Sequence, residues 1–521
     1  MIGQLVELSD DERIDALLSG TKWGGDGVGS PIELGYSIPS ATSIWRYSTE
    51  VDAGWYSLDN SQALAFEAAL QGWAEVADIT FTRIPDGQVY GDIRIAYSHA
   101  VEDTSAAYAY LPHGESFTTG TIFTATDASG DIWLHPDTNE FSVGGHGFHT
   151  LSHELGHALG LKHSFEAENG FPELDSSQDH TGYTLMSYTR STAAGYTYTQ
   201  GDNNNYVSRT IMPSTPMLYD LLAIQHLYGA NMSTRAGDSL YSFGPRAELM
   251  TIWDGGGTDT ISLSNQLVGA RLDLNPGTFS DIGLRQMTYQ GELEQADNNI
   301  AIAFGTDIEH AIGTSYADIL VGNALDNTLT GGAGDDQLEG GDGEDTAVFS
   351  GSSAEYTFTQ TDTGITITGL DGSDTLSGVE QFRFDNETLT LNNLPLSDGS
   401  STIIDTQQEA PPAIDFRPIE NEVAYFLLQI DKPRATSVSV NYQTRDGSAK
   451  AGEDYVATSG TATLQAGHTW LTLAVTLVDD NRAEGHEHFK MVITDPSDGV
   501  FASGGIELTA ERIIVDNDLF G

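Results

Sequence analysis

Residues 313–348 read as four consecutive nine-residue units in strict register: GTSYADILV, GNALDNTLT, GGAGDDQLE and GGDGEDTAV. They follow a GGxGxDxUx pattern, with U a large aliphatic. A Gly-rich turn exposes carbonyls, the acid at position six adds a carboxylate, and the aliphatic at position eight enters a thin core. Stacked turns of this kind hold Ca²⁺ between them. Asp318, Asp336 and Asp345 occupy position six, and Leu320, Leu329 and Leu338 position eight. Asn327 replaces the acid of the second unit, Tyr316 and Leu325 replace a glycine at position four, and Ala347 replaces the last aliphatic. The pattern therefore predicts a short parallel β-roll with two or three filled sites. Two isolated copies, DGGGTDTIS (254–262) and GLDGSDTLS (369–377), flank it.

Charge narrows the function classes. The 521 residues carry 21 Lys+Arg and 76 Asp+Glu, a net charge of −55. Nucleic-acid partners need a basic footprint, and anionic membranes repel such a chain. No apolar run approaches the ~18 residues of a membrane span, so membrane insertion is excluded as well. The acids serve a solubilising surface or hold hard cations, and their patterned spacing favours Ca²⁺. With no Cys, disulfides, Cys-based zinc sites and thiol catalysis are all ruled out. The opening MIGQLVELSDDERID has neither a basic n-region nor an apolar h-region. A soluble, extracellular protein without a classical signal peptide is expected.

About three domains fit the length. A helix is expected over 61–77, with Ser61 as N-cap and Leu64, Phe66, Ala69, Leu70 and Trp73 on its apolar face. Strands are expected at 79–84, 91–98, 107–111 and 132–136, and further helices at 146–160 and 216–228. The strand at 107–111 is either the sheet edge that pairs with an extended peptide or an ordinary buried strand. Residues 392–412 read as a polar linker, and period-2 strands from about 413 to 518 read as a β-sandwich.

Residues 153–163, HELGHALGLKH, carry the chemistry. His153 and His157 are four apart and share one helix face. Glu154 lies one step around, placed to hold a water. Gly160 can take the left-handed conformation that ends a helix, which returns the chain and brings in His163. Three protein ligands and an open fourth position make the catalytic zinc arrangement. His149 is a rival ligand, but it lies about 12 Å along the axis from His157, so both cannot bind one ion.

HExxHxxGxxH is the metzincin signature, and TLMSY (184–188) supplies the methionine-containing turn of that clan. The pairing of Met186 with Tyr188, the string YDLLAIQHLYGAN…STRAGD (219–238), the nonapeptides and the absence of Cys resemble serralysins over residues 30–390. The resemblance implies Zn²⁺ on His153, His157 and His163, with Tyr188 as a further ligand that swings away to stabilise the oxyanion. It implies Glu154 as general base on zinc-bound water and Met186 as a packed floor. It also implies calcium at Arg235, Gly237, Ser239, Asp254, Gly256 and Asp259, where Ser239 replaces the usual Thr. The end of the chain resembles a Calx-β module, in which Glu420, Asp446, Asp479, Asp480, Glu484, Asp516 and Asp518 are candidate calcium ligands. A spacer or adhesion role without calcium is the alternative there.

The expected architecture is an α+β metzincin catalytic domain (1–238), a parallel β-roll (239–400) and a C-terminal β-sandwich (405–521). The expected function is a secreted, calcium-dependent zinc endopeptidase acting on proteins or peptides. It is expected to be monomeric and exported from a Gram-negative bacterium by type I secretion machinery. A calcium-dependent adhesin with a vestigial protease domain is the rival reading, and the intact Glu154 and Tyr188 speak against it.

Overall fold

The computed structural model describes residues 2–47, 49–85, 90–119, 121–193, 195–200, 206–360, 364–391, 393–394, 396–397, 423–429, 437–465, 467–478, 487–497 and 507–514. The chain forms two compact units, Met1–Asn323 and Ala324–Gly521.

The first unit opens on an α+β layer. Strands β1 (Ile32–Ser37), β2 (Ile79–Arg83), β3 (Ile93–Ser98), β4 (Ala107–Ala109) and β5 (Asp131–Leu134) form a sheet ordered β2-β1-β3-β5-β4. All pair in parallel except β4, which runs antiparallel to β5 at the edge. Parallel strands are covered on both faces and read as continuous apolar runs. Accordingly Ile93, Ile95, Ile132 and Leu134 are fully buried. Helix α1 (Asn60–Val76) packs Phe66, Ala69, Leu70, Trp73 and Val76 into the same core as α2 (His146–Leu159) and α3 (Leu218–Tyr228). Two expectations for α1 need correction. Its N-cap is Asp59, which accepts from Ser61 and Gln62 N–H at 2.8 and 2.9 Å. Leu64 is 66% exposed, because at 100° per residue it lies opposite Trp73.

The N-terminal segment is part of this core. Ile2–Leu5 pairs with Thr21–Trp23 and Ile122–Ala125. Ala16, Leu17 and Leu18 are fully buried, and Leu17 C=O accepts from Lys162 N–H at 2.7 Å. That contact anchors the turn on which α2 returns toward His163.

The nonapeptides fold as stacked short strands. In the first unit, Thr260–Ser262 pairs in parallel with Leu240–Ser242 and His310–Ile312, and Ile319–Val321 with Arg271–Asp273. In the second, Thr328–Thr330 and Thr346–Val348 lie in one sheet with Gln381–Arg383, while Gln337–Glu339 pairs with Ser373–Ser377 in another. Within the second unit, successive repeats thus alternate between two sheets. The inward residue of each is Leu320, Leu329, Leu338 or Ala347, none more than 1% exposed. One such leucine contributes about 1.5–3 kcal/mol, a small core for nine ordered residues.

The last region pairs Val423–Gln429 with Trp470–Thr476 and forms a second sheet from Ser459–Leu464, Val438–Asp446, Glu487–Thr494 and Glu507–Ile514. Phe426, Val440, Val475, Phe489 and Ile514 fill its core. Among the described residues, no helix is long and apolar enough to cross a membrane.

Candidate metal centre and active site

Helix α2 ends at Gly160, whose φ of +113° is left-handed. A Cβ there would stand 2.3 Å from Thr21 O, so both backbone shape and space require glycine. The reversal brings His163 beside the two helical histidines. Ligand atoms of His153, His157 and His163 lie within 4.8 Å of one another.

Each ring is oriented from behind. His153 Nδ1 donates to Leu185 O at 2.7 Å, His157 Nδ1 to Leu161 O at 2.8 Å, and His163 Nδ1 to Glu166 Oε2 at 3.0 Å. Those acceptors place the ring proton on Nδ1 and leave Nε2 as a lone pair. Burial holds the rings neutral: it pushes His153 down to about 4, His157 well below the ordinary range, and His163 down against the pull of Glu166. Two unprotonated nitrogens, Nε2 of His157 and of His163, then face each other at 3.1 Å. Opposed lone pairs at that distance repel, and a cation between them turns the repulsion into ligation. An all-imidazole donor set suits Zn²⁺ among the common ions.

Glu154 is 5% exposed, and burial pushes its carboxyl up to about 8. Its Oε2 has no hydrogen-bond partner among the described residues. Tyr188 is exposed, and its hydroxyl donates to His163 Nε2 at 2.9 Å. Met186 is fully buried, and a Cβ on Gly156 would meet its Sδ at 2.7 Å. The thioether therefore sits directly beneath the last turn of α2. His149 lies one turn earlier, its ring centroid 6.1 Å from that of His153. It stays outside the three-histidine group.

Asp220 escaped sequence reasoning. It is fully buried on α3 and accepts from Thr184 Oγ1 at 2.6 Å, Leu185 N–H at 2.7 Å and Met217 N–H at 2.8 Å. It thereby fixes the turn whose Leu185 carbonyl orients His153. Burial outweighs these donors and raises its carboxyl to about 7. The supporting acceptors Leu161, Leu185 and Glu166 were also missed; only Glu166, three residues after His163, left a local signal.

His149, His153, Glu154 and Tyr188 line a cleft of about 700 Å³. Ala106 and Ala107, at the start of edge strand β4, form part of its wall.

The calcium candidates resolve into carboxylate caps on neighbouring turns. Asp259 Oδ1 accepts from Ser239 N–H at 2.7 Å, and Asp345 Oδ1 from Asn327 N–H at 2.7 Å. The second oxygen of each, Oδ2, has no hydrogen-bond partner among the described residues. Asp318 Oδ1 caps Ala270 N–H at 2.7 Å, and Asp336 N–H is capped by Asp374 at 2.9 Å. Segments 235–239 and 254–259 come together: a Cβ on Gly257 would lie 2.7 Å from Gly237 C. Arg235 has a left-handed φ of +51° and Gly256 one of +128°. Asp254 Oδ1 accepts from Gly256 N–H at 2.8 Å, and its Oδ2 from Tyr241 OH at 2.6 Å. Glu309, outside every repeat, caps Asp259 N–H at 2.6 Å and was not foreseen. In the last region Asp446 accepts from Tyr455 OH at 2.6 Å and Ala451 N–H at 3.0 Å. Glu420, Asp479, Asp480, Glu484, Asp516 and Asp518 lie outside the described residues.

Comparison with known proteins agrees with this arrangement. The Matrixin family model matches residues 47–176, the peptidase M10 serralysin C-terminal model residues 230–416, and the Calx-beta domain model residues 420–518. Metallopeptidase AprA of Pseudomonas marginalis is 32% identical over 57% of this chain and 61% of its own length. Serralysin C of Dickeya chrysanthemi is 36% identical over 53% of this chain and 56% of its own. The chain thus spans about three-fifths of the curated relatives it matches. A crystal structure of the apo-form Calx CBD1 domain covers 19% of this chain and 88% of its own at 27% identity, with a TM-score of 0.17. The resemblance of this chain is to serralysin-type metzincins through residue 416, followed by a Calx-beta domain.

Proposed function

We propose that this chain is a zinc-dependent endopeptidase that cleaves proteins or peptides and takes calcium in its roll. The observation that carries the reading is the pair of facing, unprotonated Nε2 atoms of His157 and His163, 3.1 Å apart and each fixed from behind. Relatives named as metallopeptidases and serralysins support it.

His153, His157 and His163 would hold the ion. Bound there, zinc supplies Lewis-acid polarisation of the scissile carbonyl and lowers the pKa of a coordinated water. Glu154 takes the proton from the attacking water and delivers it to the leaving amine, with its unpartnered Oε2 as the acceptor. Tyr188, reaching His163 through its phenol, holds the resting cluster closed and then donates to the oxyanion. An extended substrate adds as a strand along β4, the free edge of the sheet.

The finer assignments belong to the same proposal. The catalytic domain occupies 1–238, the roll 239–400 and the sandwich 405–521. Calcium sits at 235–239 with 254–259 and beside Asp318, Asp336 and Asp345. The protein is monomeric, leaves the cell through type I secretion machinery unfolded in the roll, and folds on meeting external Ca²⁺. Metal analysis of the full chain, paired with casein hydrolysis with and without chelator, tests the reading. One zinc per chain and chelator-sensitive hydrolysis are expected. Zinc bound without hydrolysis would favour an adhesin with a vestigial site.

A further inference from the structure

Arg190 follows Tyr188 by two residues and lines the same cleft. Among the described residues its guanidinium makes one hydrogen bond, to Thr210 Oγ1 at 3.4 Å. No carboxylate among the described residues lies in ion-pair range of it, in a chain of net charge −55. With 76 acids available, an arginine left uncompensated beside the reacting groups needs an explanation.

The neighbouring charges do not cancel it. Glu140, which also lines the cleft, commits its carboxylate to Arg209 at 2.6 Å. Asp103 and Asp137, at the same cleft, make contacts of 3.5 and 4.0 Å with His135 and none in ion-pair range of Arg190. Burial is the main cause that opposes protonation of His146 and His149 on the first turn of α2, and the field of Arg190 adds to it at both. Its charge therefore stands near the first turn of α2, on the cleft wall. The wall there carries the hydroxyls of Thr150, Thr181 and Ser187.

We propose that Arg190 is a specificity-determining residue: its guanidinium forms a subsite for an acidic substrate side chain flanking the scissile bond. The inference rests on the endopeptidase reading and names the substrate class within it. A carboxylate matches the planar fork of guanidinium donors, whereas a lysine there meets a like charge. Because Arg190 is exposed, the preference is moderate and weakens with salt.

The test uses the full chain loaded with zinc and calcium. Quenched fluorogenic peptides carry Glu, Gln, Leu or Lys at each position flanking the cleaved bond. At one of the two positions Glu is expected to exceed Lys roughly tenfold in kcat/KM, with the ratio shrinking between 50 and 500 mM salt. Arg190→Glu should invert the ratio. The zinc-loaded Glu154→Gln variant should show the same Glu-over-Lys preference in peptide binding by fluorescence anisotropy, and adding Arg190→Glu should invert it. Cleavage with a Glu/Lys ratio unchanged by Arg190→Glu overturns the subsite and leaves the endopeptidase reading intact. A charge preference in binding, without cleavage of any peptide by the wild type, keeps the subsite and removes the endopeptidase.

Discussion

Calcium removal should give the roll a stability that rises as the solution is acidified. Asp345 and Asp374 sit on the second unit's stacked turns, 0% and 2% exposed. Burial, reinforced by Glu380, Asp326 and Asp342 around Asp345 and by Asp336, Asp371 and Asp335 around Asp374, raises both carboxyls to about 7. In the unfolded chain they titrate near 3.8. Between those values the folded state holds protons that the unfolded state has lost, so stability falls as pH rises through the window. Going from pH 8 to pH 5 removes about two pH units of this penalty, or about 3 kcal/mol per carboxyl. Halved for solvent screening at the rim of the roll, the pair recovers about 3 kcal/mol. Calcium on the unpartnered Oδ2 of Asp345 makes the ionised form the stable one and reverses the slope. Hydrogen exchange of amides in 328–348, in calcium-free buffer and in 5 mM Ca²⁺, would read both limbs. Asp345→Asn with Asp374→Asn should reduce the calcium-free gain below about 1 kcal/mol. An equal acid response in that double variant, or the same slope with calcium present, would refute the charge-conflict account.

Asp220→Ala leaves the N–H groups of Leu185 and Met217 and the Thr184 hydroxyl without their acceptor. A loss of about 3 kcal/mol in a thermal melt is expected, with zinc affinity down roughly tenfold or more because the carbonyl behind His153 shifts. Equal zinc affinity in a folded Asp220→Ala would free His153 from that support. His163→Ala should abolish tight zinc binding while His149→Ala leaves it within a few-fold, as zinc titrations would show. Tyr188→Phe keeps the packing of the ring against His163 and Phe165 but loses the phenol, so kcat should fall roughly 10²–10³-fold with zinc retained. Near-normal turnover would assign Tyr188 to packing alone.

The parts legible in the sequence are those written over short separations. The HExxHxxGxxH spacing exposes the metal face of α2 because helical periodicity is local, and Gly160 announces the turn. The nonapeptides reveal strand, turn and inward residue because each unit repeats the same offsets. What pairs across the fold stayed hidden. Asp220 meets Leu185 across 35 residues, and Glu309 meets Asp259 across 50. No local pattern marks either. The α1 errors are different: Ser61 and Leu64 satisfied composition rules, but Asp59 offers a carboxylate two residues earlier, and Leu64 fell on the solvent arc. The hairpin of Tyr196–Gln200 and Tyr206–Thr210, whose first strand pairs with Leu284–Gln286, was overlooked although alternating runs flank GDNNN.

The central claim is that three histidines hold a zinc ion beside a carboxylate that is not one of its ligands. Glu154→Gln separates those roles, since the change preserves shape and removes the base. Zinc content and peptide turnover of purified Glu154→Gln, measured on the same sample as wild type, test it most directly. The account predicts one zinc per chain in both proteins and a loss of at least ~10²-fold in kcat for the variant. Activity within a few-fold of wild type, or loss of zinc along with activity, would contradict it.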